Sequence, residues 1–218
     1  MMFPNAHEGV KKIYKSQILA LIGAALLVLA AIFAAIMTAA TLKGNLGLAG
    51  GMGIALVLFS IGGAVLMVIG LILYIIGINR AKADEPSFTK ALICVIVSLV
   101  CAVIAAIFSS NAVVKNILQI VQNLANLAAT VFIILGIQQL AKQLNREDIV
   151  NHGKTTLYIL VAIYAAIIVA SLLAAIFAKN TAVMMAAGII TIIASILSIV
   201  QYIVYLVYLK RSAKMLEA

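Results

Sequence analysis

The chain has 218 residues, 66% of them apolar and 10% charged, and a mean hydropathy of +1.26. A soluble domain is about 45–50% apolar, so a chain this apolar cannot hide its surface from water in one small globule, and lipid is expected to solvate much of it. The net charge of +9 invites a nucleic-acid partner, but no basic patch is interleaved with aromatic residues on a soluble domain, and that partner is excluded.

Six apolar runs follow one another along the chain. They predict membrane-spanning helices over residues 18–40, 48–78, 91–108, 112–140, 157–177 and 182–209. A span needs about 20 apolar residues, and each run is near or above that. The first run has a basic start and small residues at Ala39 and Ala40, as a secretion leader would. It is longer than the roughly 7–15 residues of a leader's apolar core, so it reads as the first span. The second run is too long for an upright span and is expected to tilt, protrude or break near Gly50, Gly51 and Gly53. Both prolines, Pro4 and Pro86, lie outside the runs. Asp84-Glu85 and Glu147-Asp148 precede the third and fifth helices, where acids offset the helix macrodipole.

The basic residues alternate from one connection to the next. Lys11, Lys12 and Lys15, then Arg80, Lys82 and Lys90, then Lys142, Arg146 and Lys154, then Lys210, Arg211 and Lys214 form four clusters, while the intervening connections carry only Lys43, Lys115 and Lys179. Basic residues of short loops stay on the cytoplasmic side. Both termini are therefore expected in the cytoplasm, with the chain integral to a bacterial or archaeal plasma membrane. Tyr14, Tyr74, Tyr158, Tyr205 and Tyr208 fall toward the inner ends of the helices, where tyrosine rings meet headgroups. Tyr164 and Tyr202 lie deeper, and each needs a partner for its hydroxyl.

The words Ala-Ala-Ile-Phe recur at residues 30–33, 105–108 and 174–177, closing the first, third and fifth helices. Gly77, Gly136 and Tyr208 then match near the inner ends of the second, fourth and sixth. A fixed pattern of this kind predicts an internal repeat. Its units would be residues 10–82, 86–144 and 153–216, each a helical hairpin. Each hairpin holds an even number of spans, so the repeats would be parallel, with pseudo-threefold order. The expected fold is all-α, a single membrane domain of six spans in three tandem hairpins.

Laid over one another on these anchors, the even helices share a stripe. The second gives Ser60, Gly63, Met67, Gly70, Tyr74 and Gly77; the fourth gives Gln119, Gln122, Asn126, Ala129, Ile133 and Gly136; the sixth gives Thr191, Ala194, Ser198, Gln201, Tyr205 and Tyr208. Spacings of three and four keep each set on one face, expected to turn inward. The fourth helix is the extreme case, with Asn116, Gln119, Gln122, Asn123 and Asn126 in its outer half. An unpartnered amide in hydrocarbon costs several kcal/mol, so these must meet polar groups, water or a ligand. Thr191, Ser195 and Ser198 stand at matching places in the sixth helix, with Gln201 and Tyr202 below them. Two readings stay open: interhelical hydrogen bonding that packs the bundle, or a polar pocket or pathway between the fourth and sixth helices.

Catalytic chemistry is missing. No Asp, Glu, Lys, Arg or His lies deep in a run, which disfavours a proton-coupled pump. His7 and His152 are far apart, and no serine has a base at helical spacing. Cys94 and Cys101 are about 10 Å apart on one helix, too far to bond, and have no His or acid beside them. They read as small buried apolar residues. Gly44, Gly47, Gly50, Gly51 and Gly53 lack the Lys-Ser/Thr ending of a phosphate loop, and Gly47 with Gly51 reads as a Gly-x-x-x-Gly packing pair. The expectation is a non-enzymatic protein without metal or cofactor, a scaffold or accessory subunit of a membrane complex. Its partners would be the bilayer and either other membrane subunits or further copies of itself. The alternative is a small-solute channel or substrate-binding transporter subunit using the polar stripe.

Overall fold

The computed structural model describes residues 2–42, 45–108, 112–176 and 181–217. Among them the chain is six long helices: α1 Pro4–Leu42, α2 Leu46–Ala81, α3 Ser87–Ile107, α4 Ala112–Gln143, α5 Glu147–Ile176 and α6 Thr181–Glu217. Five of them, all but α5, are long and apolar enough to cross a membrane over their described residues. Helices consecutive in the chain pack side by side, and α1 against α6 closes the ring.

The helices outrun the apolar runs at the end of the bundle that carries the start of α1 and the end of α6, here called the inner end. Hydropathy marks where lipid starts, while a helix continues as long as its backbone bonds are made and its ends are capped. The start of α1 shows how. Pro4 opens the helix, where a missing N–H costs nothing. The Asp84 carboxylate, from the α2–α3 turn, accepts the Ala6 N–H at 2.7 Å and the Asn5 amide at 3.0 Å. Asp84 thus offsets the dipole of α1 rather than that of α3. The α3 start is served by Glu85, which accepts the Ser87 N–H at 3.3 Å and its hydroxyl at 2.9 Å. Glu85 is buried, and the Gln139 amide, turned with its nitrogen toward the carboxylate, adds a bond at 3.2 Å. Glu8 pairs with Arg80 and, at 3.4 Å, with Lys12. His7 Nδ1 bonds the Ala213 carbonyl at 3.0 Å, so the start of α1 and the end of α6 lie side by side.

The α4–α5 turn stops its helix by backbone geometry. Asn145 takes a left-handed conformation with φ of 53°. Its N–H bonds the Lys142 carbonyl at 3.1 Å, and the next N–H, of Arg146, bonds Ala141 at 2.9 Å. Those two bonds are a Schellman motif, with asparagine where glycine is commonest.

The first hairpin is held by backbone contact. Gly9, Ser16 and Gly23 recur every seven residues on α1 and oppose Gly77, Gly70 and Gly63 on α2. A Cβ on Gly9 would sit 2.5 Å from the Gly77 carbonyl oxygen, and one on Gly63 would sit 2.9 Å from that of Gly23. Small residues at this spacing let two helix backbones close up, which maximises dispersion where lipid supplies no hydrophobic drive. The α2 stripe therefore faces α1. The helix also runs unbroken past Gly50, Gly51 and Gly53. Among the described residues, Gly47 and Gly51 do not act as a packing pair. Gly51 has no atom within 4 Å of where a Cβ would be, and Gly47 meets only its neighbour Asn45.

The buried core gathers at the end where the termini meet. Val10, Ile13, Ile78, Phe88, Ile133, Ile137, Leu140 and Leu209 are fully enclosed there. Tyr205 and Tyr208 belong to this core, contrary to the interfacial role expected of them; each is 4% exposed or less, while Tyr158 is 75% exposed. Their positions continue the inward stripe of α6, and that face outranks the depth of the ring in the bilayer. Tyr14 and Tyr74 also pack against this cluster. Cys101 is buried and Cys94 half-buried. Of the repeated phenylalanines, Phe33 packs against Phe59 of α2, centroids 5.2 Å apart, and Phe108 is half-exposed at the end of α3. Phe177 lies outside the described residues, as do Lys43, Lys179 and the side chain of Lys115.

Candidate functional site

The stripe of α4 changes character along its length. In the inner half, Ala129, Ile133 and Gly136 are buried, and a Cβ on Gly136 would sit 2.9 Å from the Phe88 ring of α3. One or two heptads further out, the same side of the helix carries the amides. Asn126 stands seven residues from Ile133, Gln122 seven from Ala129, and Asn123 fourteen from Ile137. Gln119, Asn123 and Asn126 are exposed and Gln122 is half-buried. None of the four side chains makes a hydrogen bond to another described residue. The Asn126 backbone carbonyl accepts the Thr130 hydroxyl at 3.0 Å. The side chain of Asn116 lies outside the described residues.

On α6, the side chains of Thr191 and Ser195 lie outside the described residues. Ser198 donates to the Ala194 carbonyl at 2.8 Å, a bond within its own helix. Gln201 is half-buried. Tyr202 finds the partner its depth requires on α1, where its hydroxyl lies 2.7 Å from the Gln17 carbonyl and 3.0 Å from its side-chain oxygen. Among the described residues, no hydrogen bond joins an α4 amide to an α6 hydroxyl. The two helices meet instead near the inner end, where the Tyr208 hydroxyl donates to the Ile134 carbonyl at 3.3 Å.

Around that bond lies a polar cluster that sequence reasoning did not single out. Gly153 of α5 lets two neighbours approach: a Cβ there would sit 2.6 Å from the Gln138 amide nitrogen and 2.9 Å from the Tyr208 hydroxyl. The His152 ring packs edge-on against Tyr208, centroids 5.6 Å apart. Three buried polar atoms in this region, Gln138 Nε2, His152 Nδ1 and the Tyr205 hydroxyl, lack a hydrogen-bond partner among the described residues. Burial, and then the nearby Arg211, lower the pKa of the His152 imidazole from its ordinary value. Thr156 and Ser212, both fully buried, satisfy themselves on carbonyls of their own helices at 2.9 and 2.7 Å. The one advance signal was positional: Gln138 and His152 flank the turn at the inner end, where the matched stripes of α4 and α6 converge.

No match is found. Family models, curated proteins and solved structures each give none for this chain. Its arrangement must therefore be read on its own chemistry. Among the described residues no group of three or more His, Cys, Asp or Glu side chains gathers as metal ligands would. What the site does offer is hydrogen-bonding capacity within an apolar helix, with the packed core beneath it.

A second polar feature lies at the α4–α5 turn. A recess of about 420 Å³ is lined by Lys142, Asn145, Arg146, Glu147, Asn151 and Lys154 over a floor of Val150. Arg146 donates to Asp148 through Nε at 3.0 Å and Nη2 at 2.9 Å. That pairing raises the guanidinium pKa and lowers that of the carboxyl.

Proposed function

We propose that the chain is a non-enzymatic subunit of a membrane complex. In this reading six helices span the bilayer as three parallel hairpins, with both termini in the cytoplasm. The carrying observation is the exposure of Gln119, Asn123 and Asn126 on a helix that is otherwise apolar enough to span. Lipid tails cannot hydrogen-bond, and each amide left to them costs several kcal/mol. A neighbouring membrane subunit that meets the α4 amides would remove that cost, and three or more bonds of about 0.6–2 kcal/mol each suit a stable contact. The clustering of Lys and Arg beside the joined termini supports the orientation.

A second reading has its own observation. The amides continue the side of α4 that is buried further in, so they are also aimed as the lining of an outward-facing recess would be. The chain would then be a small-solute binding subunit. The core packing beneath, with Ile133, Ile137 and Leu140 fully enclosed, argues against an open pore.

One experiment separates the two. Single cysteines are placed at Gln119, Asn123 and Asn126 on a background lacking Cys94 and Cys101, in native membranes. The subunit reading expects protection from a water-soluble thiol reagent and crosslinks to another chain. Labelling with no crosslink would overturn it in favour of the recess.

A further inference from the structure

We propose that the recess at the α4–α5 turn binds the headgroup of a phosphatidylethanolamine-type lipid. The proposal rests on the membrane reading above and on no particular partner.

The recess sits at the right level. Lys142 lies two residues beyond the end of the fourth apolar run and Lys154 three residues before the start of the fifth. That is the boundary between hydrocarbon and water, where phosphate and amine groups of lipids reside. Its size, about 420 Å³, falls within the roughly 300–1,000 Å³ usual for small-molecule sites.

Its charges are also complementary to this headgroup in particular. Arg146 is engaged with Asp148, leaving one guanidinium nitrogen, Nη1, outside that pairing. Lys142 and Lys154 form no ion pair with a described residue, and neither does Glu147. Two unpaired cations and one unpaired acid thus line a single recess. The cations suit a phosphodiester, for which charge-assisted hydrogen bonds are available. Glu147 suits an ammonium that can donate to it. A choline headgroup carries the same net charge but has no N–H to give, and a glycerol headgroup has no cation for Glu147. The Asn145 and Asn151 amides complete the lining with neutral donors and acceptors. The left-handed Asn145, fixed by the Schellman bonds, folds the Lys142 end of α4 back over the start of α5 and so makes the recess.

The test uses the full chain in detergent micelles, titrated with dioleoyl phosphatidylethanolamine, phosphatidylcholine or phosphatidylglycerol and read by native mass spectrometry. The expected result is one tight ethanolamine-lipid adduct, held about fivefold more tightly than the choline lipid, since solvent-exposed pairs give about 1 kcal/mol at most. Lys142→Gln with Lys154→Gln should weaken the ethanolamine and glycerol lipids together. Glu147→Gln should bring the ethanolamine lipid to the choline level while leaving the glycerol lipid unweakened. The charge-matched pair Lys11→Gln and Lys15→Gln, on the exposed side of α1, should change neither. Equal binding of ethanolamine and choline lipids overturns the proposal. So does preference for the glycerol lipid, which marks a plain anion site, or equal competition by free phosphoethanolamine or inorganic phosphate, which marks a soluble ligand. Alkaline extraction of vesicles tests the membrane reading separately: release of the chain would sink that reading, whereas retention without headgroup selectivity would sink only this proposal.

Discussion

Replacing Gly9 with alanine adds one methyl group at the tightest point between α1 and α2. That carbon would lie 2.5 Å from the Gly77 carbonyl oxygen and 2.8 Å from both the backbone nitrogen and the Cβ of Ala81. All three are backbone or stubs of it, so no side-chain rotation relieves the contact. Restoring an ordinary separation of about 3.4 Å moves the helices apart by about 0.9 Å, enough to forfeit a quarter to a half of each dispersion contact nearby. Overpacking of this kind costs about 1–3 kcal/mol, against which alanine returns up to about 1 kcal/mol of helix propensity. The net expectation for Gly9→Ala is a loss of up to about 2 kcal/mol. Gly23→Ala should cost less, because its closest neighbour, Met67 Cγ at 2.9 Å, belongs to a flexible side chain and its nearest backbone atom, the Gly63 carbonyl oxygen, stands at 3.0 Å against 2.5 Å at Gly9. Gly51→Ala, with no atom within 4 Å, should be neutral or stabilising. The assay is reversible unfolding in mixed micelles, with the three variants beside the parent chain. Equal stabilities for Gly9→Ala and Gly51→Ala would refute the backbone-contact account of this hairpin.

Other substitutions test other joints. Asp84→Ala removes the acceptor for the Ala6 N–H and should cost about 0.5–2 kcal/mol, the usual worth of an N-cap; hydrogen exchange should speed up at residues 5–9 while α3 stays protected. Tyr205→Phe should be neutral or stabilising, since it deletes a buried hydroxyl that has no partner among the described residues, whereas Tyr208→Phe should lose up to about 1.5 kcal/mol with its bond to Ile134; a thermal unfolding series ranks the two. His152 is held below its ordinary value of 6.5, so in the window beneath that value the unfolded chain binds more protons than the folded one. Stability should be full above about pH 6.5 and fall as pH drops through the window, and His152→Gln should flatten that slope.

Periodicity and charge made part of this legible in advance. The apolar runs marked the helices, and the small residues of α2 stood out as one face expected to turn inward, though only the structure shows that the face meets α1. The inner extensions escaped, because residues such as His7 and Lys12 read as loop by hydropathy although a helix carries them. Asp84 was legible as a capping acid, but no local pattern says that it reaches across to α1 rather than forward to α3. Tyr205 and Tyr208 were misplaced for a related reason. Depth along a helix is visible in sequence, whereas which side a ring takes depends on neighbours from other helices. The α4 amides were conspicuous as residues, and the structure adds where their neighbours are not. The seven-residue spacing of Gly9, Ser16 and Gly23 stood in plain sight on α1 and was missed because the hydropathy of that region changes midway.

The bond between His7 and the Ala213 carbonyl sets an order of events during synthesis. Each hairpin can form as it emerges, but the first turns of α1 lack their neighbour until the last turns of α6 have been made. The bundle is therefore a clasp that fastens last to first. Until it does, the start of α1 must wait, tethered to the α2–α3 turn by Asp84 and to α2 by Arg80. A lesion in the final turns of α6 would accordingly be felt far away in sequence, as fraying at the start of α1.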